Sequence, residues 1–130
     1  MFRAFEKALR RHRVVILIGT DCPVLKPADL RRAARLLRSA ADAVLVPAED
    51  GGYALIGLKK VRKELFTGIE WGSGTVLRET LTKIKSFNWR CRLLRTVWDL
   101  DRPEDLDRLR LLRPVRALRF SSDPRRAAQR

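Results

Sequence analysis

The sequence predicts an α/β fold on a mixed, mostly parallel sheet, and three observations carry that expectation. The first is the apolar run of residues 14–18, Val-Val-Ile-Leu-Ile, broken by Gly19 and followed by Thr20, Asp21, Cys22 and Pro23. A strand with one wet face alternates apolar and polar residues, so an unbroken run rich in β-branched side chains predicts a central parallel strand covered on both faces. The second is the stretch after it, where Pro27 suits a first helical turn and Leu30, Ala33, Ala34 and Leu37 recur at helical spacing. The third is another apolar run, residues 42–47, that ends in Glu49-Asp50-Gly51-Gly52 before Tyr-Ala-Leu-Ile-Gly-Leu resumes at Tyr53. So short a connection predicts an antiparallel return at a mixed edge, since a parallel return needs a crossover.

The other elements follow in chain order. Phe2, Phe5, Ala8 and Leu9 are spaced for a short amphipathic helix over residues 2–11 that feeds the first strand, with no strand before it. Residues 28–39 form the next helix, with Arg31, Arg32, Arg35 and Arg38 on its wet side. Residues 59–66 read as a polar helical turn. Ser73 is placed to cap a helix over 75–85 that turns Val76, Thr80, Leu81 and Ile84 inward. Residues 89–95 alternate as a half-exposed strand, with Trp89, Cys91 and Leu93 on one face. Asp101 and Glu104 have the spacing of an N-cap and its third helical residue, Pro103 lies in the first turn, and the helix runs to about Leu112. Residues 1–113 are expected to form one domain, and 114–130 a basic, flexible tail.

The 130 residues carry 29 Lys and Arg against 15 Asp and Glu, a net charge of +14. The excess lies at the ends: five basic residues against Glu6 in residues 1–13, and eight arginines against Asp123 in residues 108–130. Such a field attracts phosphorylated ligands. Specific nucleic-acid binding is not expected, because basic and aromatic residues do not interleave as a stacking platform requires. No apolar run reaches the roughly 20 residues of a membrane helix, and the expected location is the cytoplasm. Cys22 and Cys91 form neither a CxxC pair nor a disulfide framework, and reduced, buried thiols are expected.

The candidate chemistry is acidic. Asp21, the pair Glu49 and Asp50, and the pair Asp99 and Asp101 lie on three loops that the strand order should bring to one sheet edge. Oxygen ligands of this kind suit Mg²⁺ or Mn²⁺ and, through it, a diphosphate. Each also has a plainer role: Asp21 as a helix cap, Asp101 as the cap of the last helix, Glu49 and Asp50 as turn residues. Trp71 and Trp98 fit core or lid packing as well as base stacking. His12, the one histidine, lies at the polar end of a basic helix, and the residue supply excludes a Ser-His-Asp triad.

Gly-Thr-Asp-Cys-Pro at 19–23, Ala-Glu-Asp-Gly-Gly-Tyr-Ala-Leu-Ile-Gly-Leu at 48–58, Glu-Trp-Gly-Ser-Gly-Thr-Val-Leu-Arg-Glu-Thr at 70–80 and Val-Trp-Asp-Leu-Asp-Arg-Pro-Glu-Asp-Leu at 97–106 together resemble one family. It is the glycosyltransferase-like family of radical-SAM/selenodomain-associated transferases, relatives of nucleotidyltransferases that include the molybdenum-cofactor guanylyltransferase. The resemblance spans roughly Phe2 to Leu112. It implies a GT-A-like, Rossmann-type three-layer sandwich and a metal-dependent transfer from a nucleotide or nucleotide-sugar donor to an acceptor of unknown identity. By the same resemblance Asp21 and Asp50 are the catalytic candidates. Asp21, Asp101 and Asp99 are the metal candidates, with Asp101 favoured over Asp99. Thr20, Gly51, Gly52, Tyr53 and Trp71 are the binding candidates. Family members begin with a strand and a basic loop of the type K-x-P-x-x-G-x-x-K-T-R. This sequence begins at the helix before the GTDCP strand, so it resembles the C-terminal portion of the family, a partial domain lacking the N-terminal strands.

Two other classes stay open on the sequence. One is a non-catalytic remnant or subunit that assembles with another chain, or as a homo-oligomer, through an open sheet edge. The other is a basic nucleic-acid-binding module.

Overall fold

In a computed structural model, residues 1–100 and 102–112 are described. Helix α1 (Phe2–Leu9) leads into strand β1 (Val15–Ile18), followed by α2 (Pro27–Ser39), β2 (Ala43–Pro47) and β3 (Tyr53–Leu58). A 3₁₀ turn (Lys63–Phe66), α3 (Val76–Ser86), β4 (Cys91–Leu93) and α4 (Asp105–Leu111) complete the chain order. The sheet order is β1-β3-β2-β4. Strand β3 runs antiparallel to both β1 and β2, and β2 runs parallel to β4. Three strands therefore point the same way around one reversed strand. The sheet is mixed as expected, but it is not mostly parallel, because β3 lies between β1 and β2 and makes two of the three pairings antiparallel.

Two layers of helix cover it. On one face Val44, Val46 and Leu55 pack with Ala33 and Leu37 of α2, and Val14 and Ile16 join them. On the other, Ala43, Leu45, Ile56 and Leu58 meet Phe5 of α1, Leu65 and Ile84 of α3, joined by Val15 and Leu17. Successive strand residues thus bury on opposite faces, which is why these runs are apolar without alternation. Gly57 permits the closest approach of α2, since a Cβ there would fall 2.6 Å from Leu37 Cδ1.

The strand order corrects the sequence reading. Strand β1 is not central: it lies at the outer end of the described sheet, only half-buried, with Ile18 48% exposed. Nor are β1 and β2 neighbours, because the returning strand β3 inserts between them rather than forming an edge. Unbroken apolarity reports helices above and below a strand; the neighbours at its sides are chosen by main-chain pairing, which leaves no mark on side-chain type.

Caps also differ. The start of α2 is closed locally, the Lys26 N–H donating to Asp29 Oδ2 at 2.8 Å, so Asp21 is not needed as a cap. At α4 the Arg102 N–H donates to Asp105 Oδ2 at 2.9 Å, and Glu104 occupies the N-cap position instead of the third helical residue. Asp101 and residues 113–130 lie outside the described residues, and with them the expected capping by Asp101 and the expected tail. Ser73 closes α3 indirectly, its Oγ accepting from the Thr75 N–H at 3.3 Å. Strand β4 covers only three residues of the expected seven; Trp89 is buried while Leu93 is half-exposed. No helix among the described residues is long and apolar enough to cross a membrane.

Candidate functional site

Strands β1, β2 and β4 all end at the same rim, and the chain beyond each forms a loop there. The loop after β4 is drawn along β2 by a parallel bridge of Val97 to Ala48, and the Glu49 N–H donates to Val97 O at 2.9 Å. One step further, the Leu100 N–H donates to Asp21 O at 2.9 Å and Cys22 Sγ donates to Trp98 O at 3.3 Å. Main-chain bonds therefore hold the Asp21 loop against Asp99, although 78 residues of sequence separate the two. Burial, with the negative fields of Asp99 and Asp21 adding to it, pushes the Cys22 thiol up, which keeps it protonated and inert at neutral pH.

The turn between β2 and β3 is fixed from two sides. Gly51 has φ +89°, and a Cβ there would overlap the Gly74 carbonyl before α3; Leu77 N–H donates to Gly51 O at 2.9 Å. Asp50 Oδ1 accepts the Gly52 N–H at 2.8 Å, a local bond that orients the carboxylate. Asp50 and Asp99 then line two adjoining recesses. The apolar one, about 410 Å³, also holds Gly19, Tyr53, Ile56, Trp71 and Val76. The charged one, about 300 Å³, also holds Glu49, Trp98, Arg102, Asp105 and Arg108. The Asp21 carboxylate folds over Gly19, its Oδ1 3.1 Å from where a glycine Cβ would stand, at the edge of the apolar recess.

Arg108 organises the charged recess. It donates to both Glu49 oxygens at 2.9 and 3.1 Å, stacks 4.6 Å over the Trp98 ring and lies 3.9 Å from Asp105. That fork holds the Glu49 carboxyl below its ordinary range and raises the guanidinium in turn. The ring of Tyr53 is half-buried with its hydroxyl fully enclosed, and burial raises its phenol.

Among the described residues, no three His, Cys, Asp or Glu side chains are grouped to hold a metal ion. Of the carboxylates at the rim, Asp21 and Asp99 are the two metal candidates within the described residues, on loops joined by the Leu100 to Asp21 hydrogen bond. Their number matches what Mg²⁺ takes from a protein when a diphosphate and water complete its shell.

The model of a family described as "Uncharacterized protein conserved in bacteria (DUF2064)" matches residues 1–73, more than half of the chain. The chain belongs to the DUF2064 family. No curated protein gives a match. Among solved structures, the DUF2064 chain is similar to a protein of Desulfovibrio desulfuricans G20 provisionally named a nucleotide-diphospho-sugar transferase. The TM-score is 0.82 at 32% identity, over 94% of this chain and 54% of that one. The DUF2064 chain thus spans about half the length of that protein and has the fold of its matching part.

Of the sequence candidates, Asp50, Gly52, Tyr53, Trp71 and Asp99 line the two recesses, while Asp21 lines neither and stands beside Gly19 of the apolar one. Thr20 is exposed on the same loop, and Gly51 serves as the hinge of the turn rather than as lining. Sequence reasoning missed Arg102 and Arg108. By composition Arg108 belongs to the terminal excess of charge, yet it pairs with Glu49 across the rim. Its position three residues after Asp105, inside an acidic segment, was the available signal.

Proposed function

We propose that this chain carries the metal, diphosphate and acceptor subsites of a transferase of the nucleotide-diphospho-sugar type, transferring a glycosyl or nucleotidyl group. What supports the reading most directly is that Asp50 and Asp99 line both recesses at the rim where the Asp21 loop is bonded. Asp21 and Asp99 would hold a divalent cation, joined by Asp101 on the sequence expectation. A bound Mg²⁺ or Mn²⁺ supplies charge that neutralises the diphosphate and stabilises it as it leaves. Arg102 and Arg108 add fixed positive charge on the diphosphate side, and Trp71 and Tyr53 give the apolar recess rings for a sugar or base. Asp50, held through Oδ1, presents its second oxygen as the base for an acceptor hydroxyl. On the sequence resemblance, the narrower reading is a radical-SAM/selenodomain-associated transferase.

Calorimetric titration of the full chain with UDP and GDP, with and without Mn²⁺, tests this. One of the two nucleotides is expected to bind only with Mn²⁺, and Asp21→Asn is expected to remove the metal dependence while leaving the far-ultraviolet dichroism unchanged. Binding that ignores Mn²⁺, or the absence of binding, would overturn it.

A further inference from the structure

At the opposite end of the sheet, where β1 begins and β3 ends, lies another recess of about 470 Å³ lined by His12, Arg13, Val14, Leu37, Arg38 and Lys59. Four of these six side chains are basic, they come from three separate parts of the fold, and no carboxylate is among them. We propose that this recess binds a small phosphorylated ligand, through a phosphoryl or diphosphoryl group.

Ordinary helix electrostatics accounts for part of the cluster only. Arg38 lies in the last turn of α2, where a cation complements the helix dipole. Arg13 lies at a bend before β1 and Lys59 follows β3, so neither answers a helix end. The nearest acid, Asp42, does not balance them. Lys59 reaches it at 3.8 Å, but Lys60 and Arg90 share the same carboxylate at 3.7 and 3.4 Å, and the Arg90 N–H occupies Oδ2 at 2.8 Å. One negative charge thus faces three positive ones there, and Arg13 and Arg38 make no ion pair among the described residues. Two guanidinium forks and an ammonium around one concavity match phosphoryl oxygens, with Arg supplying bidentate contacts and Lys a point charge. Val14 and Leu37 give the recess an apolar floor. Convergence in one recess, rather than a stripe along the surface, favours a small ligand over a polynucleotide backbone.

The proposal is independent of the chemistry assigned to the far rim, and residue-resolved binding separates the two. Inorganic pyrophosphate is titrated into the full isotopically labelled chain, against sodium chloride at matched ionic strength. Amide shifts are expected at residues 12–14, 38 and 59, saturating with pyrophosphate and absent with chloride. Arg13→Gln and Arg38→Gln, both at exposed positions, are each expected to weaken binding at least tenfold with unchanged melting temperature, and Lys59→Gln to weaken it less. Equal shifts with chloride, shifts confined to residues 98–108, or affinity untouched by both arginine variants would overturn the proposal. So would a short RNA or DNA strand that binds more tightly than pyrophosphate and loses that affinity in the same variants.

Discussion

Asp42 is 8% exposed at the start of β2 and holds three chain segments through one carboxylate: its own strand, the turn after β3, and the Arg90 segment. Burial works to raise its carboxyl, but the Arg90 N–H and guanidinium and the Lys60 charge outweigh that and hold it below the ordinary 3.8. A depressed carboxyl contributes stability that is present above the ordinary value and is lost as pH falls through the depressed one. Asp29 behaves alike: burial opposes, and Arg95, donating at 2.7 and 3.1 Å, prevails. Acid denaturation of the wild type is therefore expected to begin as pH drops below about 4, the ordinary carboxylate range. In Asp42→Ala the dependence should be shallower and the stability at neutral pH lower by about 2 kcal/mol, the loss of charge-assisted hydrogen bonds. Chemical denaturation at pH 7 and pH 3 reads both. Gly51→Ala, strained by its positive φ and by the Gly74 carbonyl, should cost about 1–3 kcal/mol and shift the amides of residues 49–53 and 74–77.

Helix α4 buries no residue, so it is held to the rim by polar contacts, chiefly Arg108 with Glu49 and with Trp98. Exposed ion pairs contribute little to global stability, about 0–1 kcal/mol. Glu49→Gln should accordingly leave the melting temperature near that of the wild type while speeding amide exchange across residues 105–111. Protection unchanged in that helix would show that it is held otherwise. Gly57→Ala sits at the other extreme. The added methyl meets Leu37 under α2, and overpacking of about 1–3 kcal/mol is expected in denaturant titration. The elements themselves were largely legible: helices by their apolar stripes, β2 and β3 by their runs and the Gly-Gly turn between them. Their lateral order was not, since β1 and β2 share a direction without sharing hydrogen bonds and only a pairing across the reversed β3 puts them in register. Likewise Asp21, Asp50 and Asp99 announced themselves as acids beside strand ends, whereas the Arg108 partnership with Glu49 spans 59 residues, and the spacing of Arg108 from Asp105 marks only the neighbour within its own helix.

Across the whole molecule, charge and strand direction divide the surface into two ends. Carboxylates gather where β1, β2 and β4 finish, together with two arginines that answer them, and basic groups in excess of the one carboxylate of Asp42 gather where β1 and β2 begin. Three strands of this mixed sheet share a direction, and that makes the separation natural, because their ends open loops free to carry polar groups while the strands between stay apolar. The transferase reading depends on the first end acting as one site for a cation and a diphosphate. Paramagnetic broadening by Mn²⁺ of the amide signals of the full chain, in the presence of UDP or GDP, tests that dependence most directly. Broadening is expected to centre on residues 19–22, 50–53 and 98–100 together and to disappear in Asp21→Asn. Broadening spread evenly over exposed acids, or centred away from these three loops, would contradict it.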